Sequence, residues 1–213
     1  MSRKMTILNQ LKENYVFAVV RGKSVEEALI ISKKCVAGGI KNIELTYTTP
    51  NAAQAIRTFV EKNTDVEVVV GAGTVLDSAT ANEAILAGAQ FIVSPHFDAK
   101  ISVVCNRYAI PYLPGCGSVT EMVTAMESGA DVVKLFPGGL FGANFIKDVH
   151  GPLPFAEMMP SGGVSIDNID QWMAAGAWAV GVGGALTQDV ATAGYGSVEA
   201  IAKRFIDKVN ESK

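Results

Sequence analysis

The stretch Ala175-Gly-Ala-Trp-Ala-Val-Gly-Val-Gly-Gly184 contains, in order, the features that decide the fold. Its first residues form a small-residue turn that can end a helix, because glycine adopts the left-handed conformation of a helix C-terminus. Residues 178–182 form a short apolar run typical of a buried β-strand. Glycines then follow at the end of that run. The stretch therefore predicts a helix, a strand and a glycine-rich loop in succession.

The same organisation recurs along the chain. Small-residue turns with glycine precede several apolar runs, at Ala37-Gly38-Gly39, Ala87-Gly88-Ala89, Ser128-Gly129-Ala130 and Ala175-Gly176-Ala177. Helix starts are marked by Ser24-Val-Glu-Glu27 and Ser118-Val-Thr-Glu121. Both are capping-box patterns, in which a hydroxyl and a carboxylate satisfy free N–H groups. One βα unit is thus predicted to be used repeatedly.

Short apolar runs alternate with longer helical patterns from end to end, which is typical of a parallel sheet built from βα units. We interpret eight runs as strands, at residues 16–20, 42–46, 67–70, 91–94, 112–113, 132–136, 157–160 and 178–182. Eight units in about 200 residues predict an α/β fold of the (β/α)8 TIM-barrel type.

An open, doubly wound sheet is the alternative architecture. The barrel is favoured because no strong G-x-G-x-x-G fingerprint follows the first strand, and because the glycine-rich segments come after strands seven and eight. The carboxyl ends of barrel strands carry the chemistry, so we expect functional residues there.

Composition predicts one domain, residues 1–213, with a small-molecule partner. The chain is 49% hydrophobic without a composition shift, and its net charge of -3 argues against nucleic-acid and anionic-membrane surfaces. Three cysteines without C-x-x-C spacing favour a reducing cytosol over a disulfide framework or structural zinc. Neither a signal peptide nor an apolar run of ~20 residues is present, so we expect a soluble, cytoplasmic protein.

Lys134 is the most informative residue, because it interrupts the otherwise apolar run Asp131-Val-Val-Lys-Leu-Phe-Pro137. Strand alternation places Val132, Lys134 and Phe136 on one face, toward the barrel interior. A lysine that reaches solvent or pairs with a buried acid is the ordinary structural interpretation. Burial also disfavours the charged ammonium, and the neutral amine can attack a ketone.

Glu44 repeats this pattern, since Asn42, Glu44 and Thr46 are expected to face inward. Carboxylates are depleted in strands, so Glu44 is a candidate catalytic group, although a structural partner for Lys134 is an equally good interpretation. A nearby carboxylate also favours the charged ammonium of lysine. Desolvation must therefore outweigh this attraction, or a water must separate the two groups.

Glycine-rich segments follow three of the predicted strands. Gly71-Ala-Gly-Thr74 offers a hydroxyl and backbone N–H groups to a small carboxylate, although such glycine pairs are usually turns. Ser161-Gly-Gly163 and Gly181-Val-Gly-Gly184 follow strands seven and eight, where barrels frequently bind phosphate. Because the last two are glycine-rich together, we favour phosphate binding there.

A metal site is not expected. The histidines are His96 and His150, without the spacing of a zinc-binding motif. His96 follows the fourth strand, where a lone loop histidine is usually a surface residue.

Eight short motifs stand in order along nearly the whole chain: Val19-Val-Arg-Gly22, Ile43-Glu-Leu-Thr46, Gly71-Ala-Gly-Thr-Val75, Phe91-Ile-Val-Ser-Pro95, Pro114-Gly-Cys116, Lys134-Leu-Phe-Pro137, Ser161-Gly-Gly163 and Val182-Gly-Gly-Ala-Leu186. In this order and spacing they resemble the 2-keto-3-deoxy-6-phosphogluconate (KDPG) and 4-hydroxy-2-oxoglutarate (KHG) aldolases. The resemblance implies a class I barrel enzyme that needs no metal or cofactor, and it implies a homotrimer.

By this resemblance Lys134 is the Schiff-base lysine, and Glu44 is the general acid/base. The resemblance also implies that Arg21 binds the substrate near the entrance. Thr74, Pro95 and Phe136 are implied to surround the pyruvyl carboxylate. The phosphate is implied to bind at Gly162, Gly163 and Gly184. The implied reaction cleaves 2-dehydro-3-deoxy-6-phosphogluconate to pyruvate and glyceraldehyde 3-phosphate, with KHG as a second substrate.

Two departures bear on the substrate. Some family members have arginine at the position of Thr48, and a serine commonly contacts phosphate at the position of Gly184. The 2-keto-3-deoxy-6-phosphogalactonate (KDPGal) aldolases are therefore an alternative, which Leu140-Phe-Gly-Ala143 and Pro114-Gly-Cys116 also resemble. A sugar-phosphate epimerase or isomerase on the same barrel and a non-catalytic phosphosugar-binding protein are the other classes considered.

Overall fold

Short strands alternate with helices throughout residues 2–212, the part of the chain that this computed structural model describes. The strands are β1 (Val16–Val20), β2 (Asn42–Thr46), β3 (Val69–Gly73), β4 (Ile92–Val93), β5 (Tyr112–Leu113), β6 (Gly115–Cys116), β7 (Val133–Leu135), β8 (Met158–Pro160) and β9 (Val180–Val182). The helices are α1 (Arg3–Asn14), α2 (Val25–Ala37), α3 (Ala52–Lys62), α4 (Ser78–Leu86), α5 (Ala99–Arg107), α6 (Val119–Glu127), α7 (Gly138–Phe141), α8 (Asn144–His150), α9 (Ile169–Ala174), α10 (Gly184–Thr187), α11 (Val190–Ala193) and α12 (Gly196–Glu211).

All of the strand pairs are parallel. One sheet has the order β5-β4-β3-β2-β1-β9 and the other has the order β6-β7-β8. A single parallel bridge between Ser161 and Gly181 links the ends of β8 and β9, and only Pro114 separates β5 from β6. The prediction of an α/β fold with a parallel sheet is confirmed, and the sheet curls into a half-barrel.

The strand predictions differ from the structure mainly at their ends. β1 and β2 have the predicted bounds, whereas β3 begins two residues later than predicted and extends through Gly73. The prediction that Gly71-Ala-Gly-Thr74 follows the third strand is wrong for its first three residues, because Gly71, Ala72 and Gly73 pair with β2, and Thr74 alone lies after the strand. The fifth strand continues as β6 after Pro114, whose ring removes the backbone donor at that position.

The predicted helix ends are present. Gly39, Gly88, Gly129 and Gly176 each have a positive φ between 88° and 109°, as a left-handed helix terminus requires. At the N-terminus of α6, Ser118 Oγ accepts from the Glu121 amide, and Glu121 Oε2 accepts from Gly117 N at 2.9 Å. The carboxylate thus accepts from the backbone N–H of the residue before the cap and from the hydroxyl of the cap residue Ser118.

Helix α1 covers the amino-terminal end of the sheet. The Asn42 side-chain amide, at the start of β2, donates to the Leu11 carbonyl at 2.9 Å, and Asn14 Nδ2 donates to Asn42 Oδ1 at the same distance. Two ion pairs reach the segments just before β7 and β8, Lys4 with Asp131 at 2.6 Å and Lys12 with Glu157 at 3.1 Å. The opposite, carboxyl-terminal end therefore remains for a ligand.

Within residues 2–212, none of the helices combines the length and the apolar character that crossing a membrane requires.

Candidate active site

Lys134 occupies the middle of β7 and is only 4% exposed. It pairs in register with Gly115 of β6 and Met159 of β8, so small or apolar neighbours flank it. Its Nζ lies 5.0 Å from the centre of the Phe136 ring. Within residues 2–212 this Nζ makes neither a hydrogen bond nor an ion pair. The amine is therefore held by packing, with its bonding capacity free for a ligand.

Glu44 is fully buried in the middle of β2. It pairs in register with Val19 of β1 and Gly71 of β3. Neither of its carboxyl oxygens has a hydrogen-bond partner among residues 2–212. A buried carboxyl group without a partner is costly, which makes Glu44 an exception to the usual pairing of buried polar groups.

Burial raises the pKa of Glu44, and the positive charges of Lys134 and Arg21 offset part of that rise. Desolvation is the larger effect, because it disfavours the charged carboxylate. The two cations also show that Glu44 lies within electrostatic reach of both predicted basic site residues. A carboxyl group with a raised pKa is suited to exchange a proton near neutral pH.

Three further predicted residues lie just beyond the carboxyl ends of strands. Thr74 follows β3 with a left-handed φ of 55°, Pro95 lies two residues after β4, and Phe136 follows β7. The Pro95 carbonyl group packs so closely on Gly115 that a Cβ there would lie 2.2 Å from it. The Phe136 ring lies beside the Lys134 amine, and Thr74 and Pro95 lie at the carboxyl-terminal edge of the sheet.

A cavity of about 320 Å³ opens beside Phe136. It brings together several predicted residues from separate loops, namely Arg21, Phe136, Gly162, Gly163 and Gly184. Gly162 and Gly163 have φ of +84° and +79°, and a Cβ on Gly163 would lie 2.7 Å from the Gly139 Cα. The loop therefore presents backbone rather than side chains to the cavity.

Two residues around this cavity were not predicted from the sequence as site residues. Ser161 and Gln188 both contribute to its wall. Ser161 belongs to the predicted Ser161-Gly-Gly163 motif, so its hydroxyl could have been singled out. Gln188 follows the short helix α10, and no pattern in the sequence marks it.

Lys134, Glu44, Thr74 and Pro95 do not line that cavity. The site therefore has two parts: an interior part around the lysine and the glutamate, and an open part around the glycine loops. Phe136 borders both, since its ring neighbours Lys134 and also lines the cavity. Such an arrangement can hold an elongated ligand with one end in the interior and an anionic end at the loops.

The family model of the KDPG and KHG aldolases matches residues 7–203. The chain belongs to this family. A KDPG aldolase from Treponema pallidum is 32% identical over 96% of this chain and 98% of its own. A KDPGal aldolase from Escherichia coli is also 32% identical, over 89% of this chain and 90% of its own. The resemblance recognised in the motifs is thus confirmed, and the KDPG/KHG-type enzyme is an aldehyde-lyase.

Two solved structures extend the comparison. A KDPG aldolase from Legionella pneumophila, with pyruvate captured as a covalent carbinolamine intermediate, superposes with a TM-score of 0.84. It is 25% identical, and the match covers 92% of this aldolase and 96% of that chain. A protein cage designed by fusing symmetric oligomeric domains has a TM-score of 0.85 at 29% identity, with 92% of this aldolase and 72% of that chain covered.

Proposed function

We propose that this aldolase cleaves 2-dehydro-3-deoxy-6-phosphogluconate to pyruvate and glyceraldehyde 3-phosphate through a Schiff base on Lys134. The observation that carries the proposal is a buried lysine within electrostatic reach of a buried glutamate, neither of which has a hydrogen-bond partner among residues 2–212. A lysine amine can form an imine with a ketone, and a glutamate can transfer the protons that the reaction moves. The covalent carbinolamine of the Legionella pneumophila relative supports the same chemistry here.

In the first half of the reaction, the neutral Lys134 amine attacks the C2 ketone to form a carbinolamine. Water leaves, and a protonated imine remains. No metal or cofactor is needed, since the imine itself accepts the electrons of the bond that breaks.

In the second half, the Glu44 carboxylate takes the proton of the C4 hydroxyl. The C3–C4 bond breaks, its electrons move to the imine nitrogen, and the C4 end leaves as the aldehyde. The resulting enamine takes a proton at C3, and water hydrolyses the imine to release pyruvate and free Lys134. The raised pKa of Glu44 fits a group that both accepts and returns a proton.

The substrate is proposed to lie across both parts of the site. Thr74, Pro95 and Phe136 would surround the carboxylate of the pyruvyl half, near Lys134. The backbone N–H groups of Gly162, Gly163 and Gly184 would bind the phosphate, and Arg21 would add positive charge at the entrance. The cavity of about 320 Å³ that these loops share supports this orientation.

KDPGal is the second candidate substrate, because the KDPGal aldolase of Escherichia coli is as similar in sequence as the KDPG aldolase of Treponema pallidum. Thr48 is exposed and lies 2.8 Å from the Thr46 hydroxyl, so no guanidinium is available there to select one stereoisomer. KHG, which lacks a phosphate, is proposed as a slower substrate.

Four further features belong to the proposal. The bridge between β8 and β9 and the continuity of β5 with β6 support a closed (β/α)8 barrel. We propose that residues 1–213 form one domain.

The likeness to a designed cage of symmetric oligomeric domains supports a homotrimer. Three buried, unpaired thiols support a reducing, cytoplasmic location.

Borohydride trapping tests the mechanism. Incubation with pyruvate and borohydride, with EDTA present, should add the mass of reduced pyruvate to the peptide that contains Lys134. The Lys134→Met variant is the matched control and should remain unmodified. An epimerase or a phosphosugar-binding protein forms no imine, so an unmodified Lys134 in the wild-type protein would contradict the proposal.

A comparison of kcat/KM for KDPG, KDPGal and KHG tests the substrate. Hydrogen bonds to a charged group contribute about 1.5 to 3 kcal/mol each, so the phosphorylated substrates should be preferred over KHG by at least ~10-fold. We expect KDPG to be the best of the three. Equal values with and without phosphate would mean that the glycine loops are turns only, and a clear KDPGal preference would select the second candidate.

A further inference from the structure

The Glu44 carboxyl group occupies the space that a side chain at residue 73 would fill. A Cβ built on Gly73 would lie 1.9 Å from Glu44 Oε1 and 2.6 Å from both Cδ and Cγ of the same side chain. In the strand register Glu44 lies opposite Gly71, and Gly73 is the next residue of β3 on that face. The side chain of Glu44 therefore extends along the sheet toward its carboxyl end and rests on the Gly73 backbone.

Contact with Gly73 is the clearest constraint on this carboxyl group. Both of its oxygens lack hydrogen-bond partners among residues 2–212, so hydrogen bonds do not orient it. The group is nevertheless fully buried, and its position has to be set by the surfaces around it. The flat backbone of a glycine is one such surface, because it lets a side chain approach more closely than any other residue does.

Glycine is not required at position 73 by the backbone itself. Gly73 lies within β3 and is absent from the glycines with a positive φ. A glycine inside a strand otherwise weakens the strand. The contact with Glu44 accounts for the presence of a glycine at this position.

We propose that Gly73 is a positioning residue for Glu44, and this rests on the proposed acid/base role of Glu44. Gly73 leaves open the space into which the carboxyl group extends toward the carboxyl end of the sheet. A methyl group at residue 73 displaces the carboxyl group, because non-bonded carbon and oxygen atoms require separations of about 3.4 Å. A displacement on the order of 1 Å is enough to lower turnover by ~10²-fold.

A double-mutant cycle tests the proposal. Gly73→Ala should lower kcat by ~10²-fold while KM for KDPG changes by less than about 3-fold. In a Glu44→Gln background the same substitution should lower kcat by less than about 3-fold, because the proton-transfer group has already been removed. Equal losses in the two backgrounds, or no loss in the wild-type background, would overturn the proposal.

Thermal unfolding provides a readout that does not depend on catalysis. Gly73→Ala should lower Tm by ~2–6 °C when Glu44 is present, and by less than about 1 °C in a Glu44→Ala background that removes the contact. Equal decreases would overturn the proposal even if the single variant folds too poorly for kinetics. Gly196→Ala is the control, since a Cβ there meets no atom within 4 Å, and it should leave kcat unchanged without lowering Tm.

The failure of the proposed function has a separate signature. If Glu44→Gln alone keeps nearly wild-type turnover, Glu44 is not the acid/base, whatever the Gly73 variants do. If Glu44→Gln lowers kcat and Gly73→Ala lowers kcat equally in both backgrounds, the acid/base role of Glu44 is kept. The positioning role of Gly73 is then contradicted.

Discussion

Lys134 and Glu44 share the interior of the sheet without a direct bond between them. Within residues 2–212 the lysine amine makes neither a hydrogen bond nor an ion pair, and both glutamate oxygens lack a hydrogen-bond partner. Removing ionisable groups from water without pairing them costs free energy of folding. A substrate with a ketone and a hydroxyl group offers partners to both, so the free protein keeps two reactive groups in a form that a ligand can use.

The proposed acid/base role of Glu44 predicts a large loss of turnover on a nearly isosteric change. Glu44→Gln keeps the size of the side chain and removes its ability to take a proton, so kcat for KDPG should fall by ~10²- to 10⁴-fold. Circular dichroism should show an unchanged fold. Turnover within a few-fold of wild type would mean that Glu44 is structural and that another group serves as the base.

Burial of Glu44 should also make the stability of the protein depend on pH. The pKa of Glu44 is raised from 4.5, so the folded protein keeps this proton at pH values where the unfolded chain has released it. The contribution of this retained proton to the free energy of unfolding is therefore fully present below about pH 4.5, and it is lost as the pH rises through the raised pKa.

Relative to Glu44→Gln, the wild-type free energy of unfolding should fall by up to ~1.4 kcal/mol for each pH unit within that range. Urea denaturation of both proteins between about pH 4 and pH 8 measures the difference. A difference that stays constant with pH would show that the Glu44 pKa is not raised.

At the scale of the element, β3 provides a flat surface on its inner face. Gly71 and Gly73 lie two residues apart, and each leaves room for a different side chain. Phe91 fills the space beside Gly71, where a Cβ would lie 2.5 Å from its ring, and the Phe91 ring stands edge-on to Phe17 at 5.4 Å. The Phe91 ring therefore packs against β3 at Gly71, and the Glu44 side chain packs against it at Gly73.

Gly71→Ala should destabilise the protein through overpacking. The added methyl group pushes the fully buried Phe91 ring out of its position, so the free energy of unfolding should fall by ~1–3 kcal/mol. Equilibrium unfolding in urea measures the change, with Gly196→Ala as a surface control. A loss below about 0.5 kcal/mol would mean that Phe91 moves aside without cost.

Helix ends and strand cores could be predicted from the sequence because their signals are local. The glycines at residues 39, 88, 129 and 176 mark the turns, and the alternation in β2 marks Glu44 as inward-facing. The bounds of β3 depend instead on pairing with β2, and pairing partners are distant in sequence. For this reason the sequence predicts that Gly71 and Gly73 follow the third strand, whereas they lie within it.

At the scale of the whole molecule, the motifs predicted which loops meet at the carboxyl end of the sheet. They could not predict that Gln188 joins the cavity, or that the cavity excludes Lys134 and Glu44. Both facts depend on how loops from β1, β8 and β9 fold over one another. The contact between Gly73 and the Glu44 carboxyl group was equally hidden, since it depends on a side-chain direction rather than on a residue type.

The proposed homotrimer predicts a defined mass in solution. Light scattering coupled to gel filtration should give three times the 22.4 kDa mass of one chain. Symmetric assembly is the usual state of soluble oligomers, and the mass should stay constant over a tenfold dilution. A mass equal to one chain would contradict the prediction.

Helix α1 closes the amino-terminal end of the sheet, and this closure bears on how ligands would reach the proposed site. With that end covered, the substrate and both products would enter and leave at the carboxyl end. In the proposed mechanism the C3–C4 bond breaks while the pyruvyl half is attached to Lys134, so the phosphorylated aldehyde would leave first and pyruvate second. In the reverse direction pyruvate would bind before the aldehyde. The covalent chemistry sets this order, and α1 confines both steps to one end of the sheet.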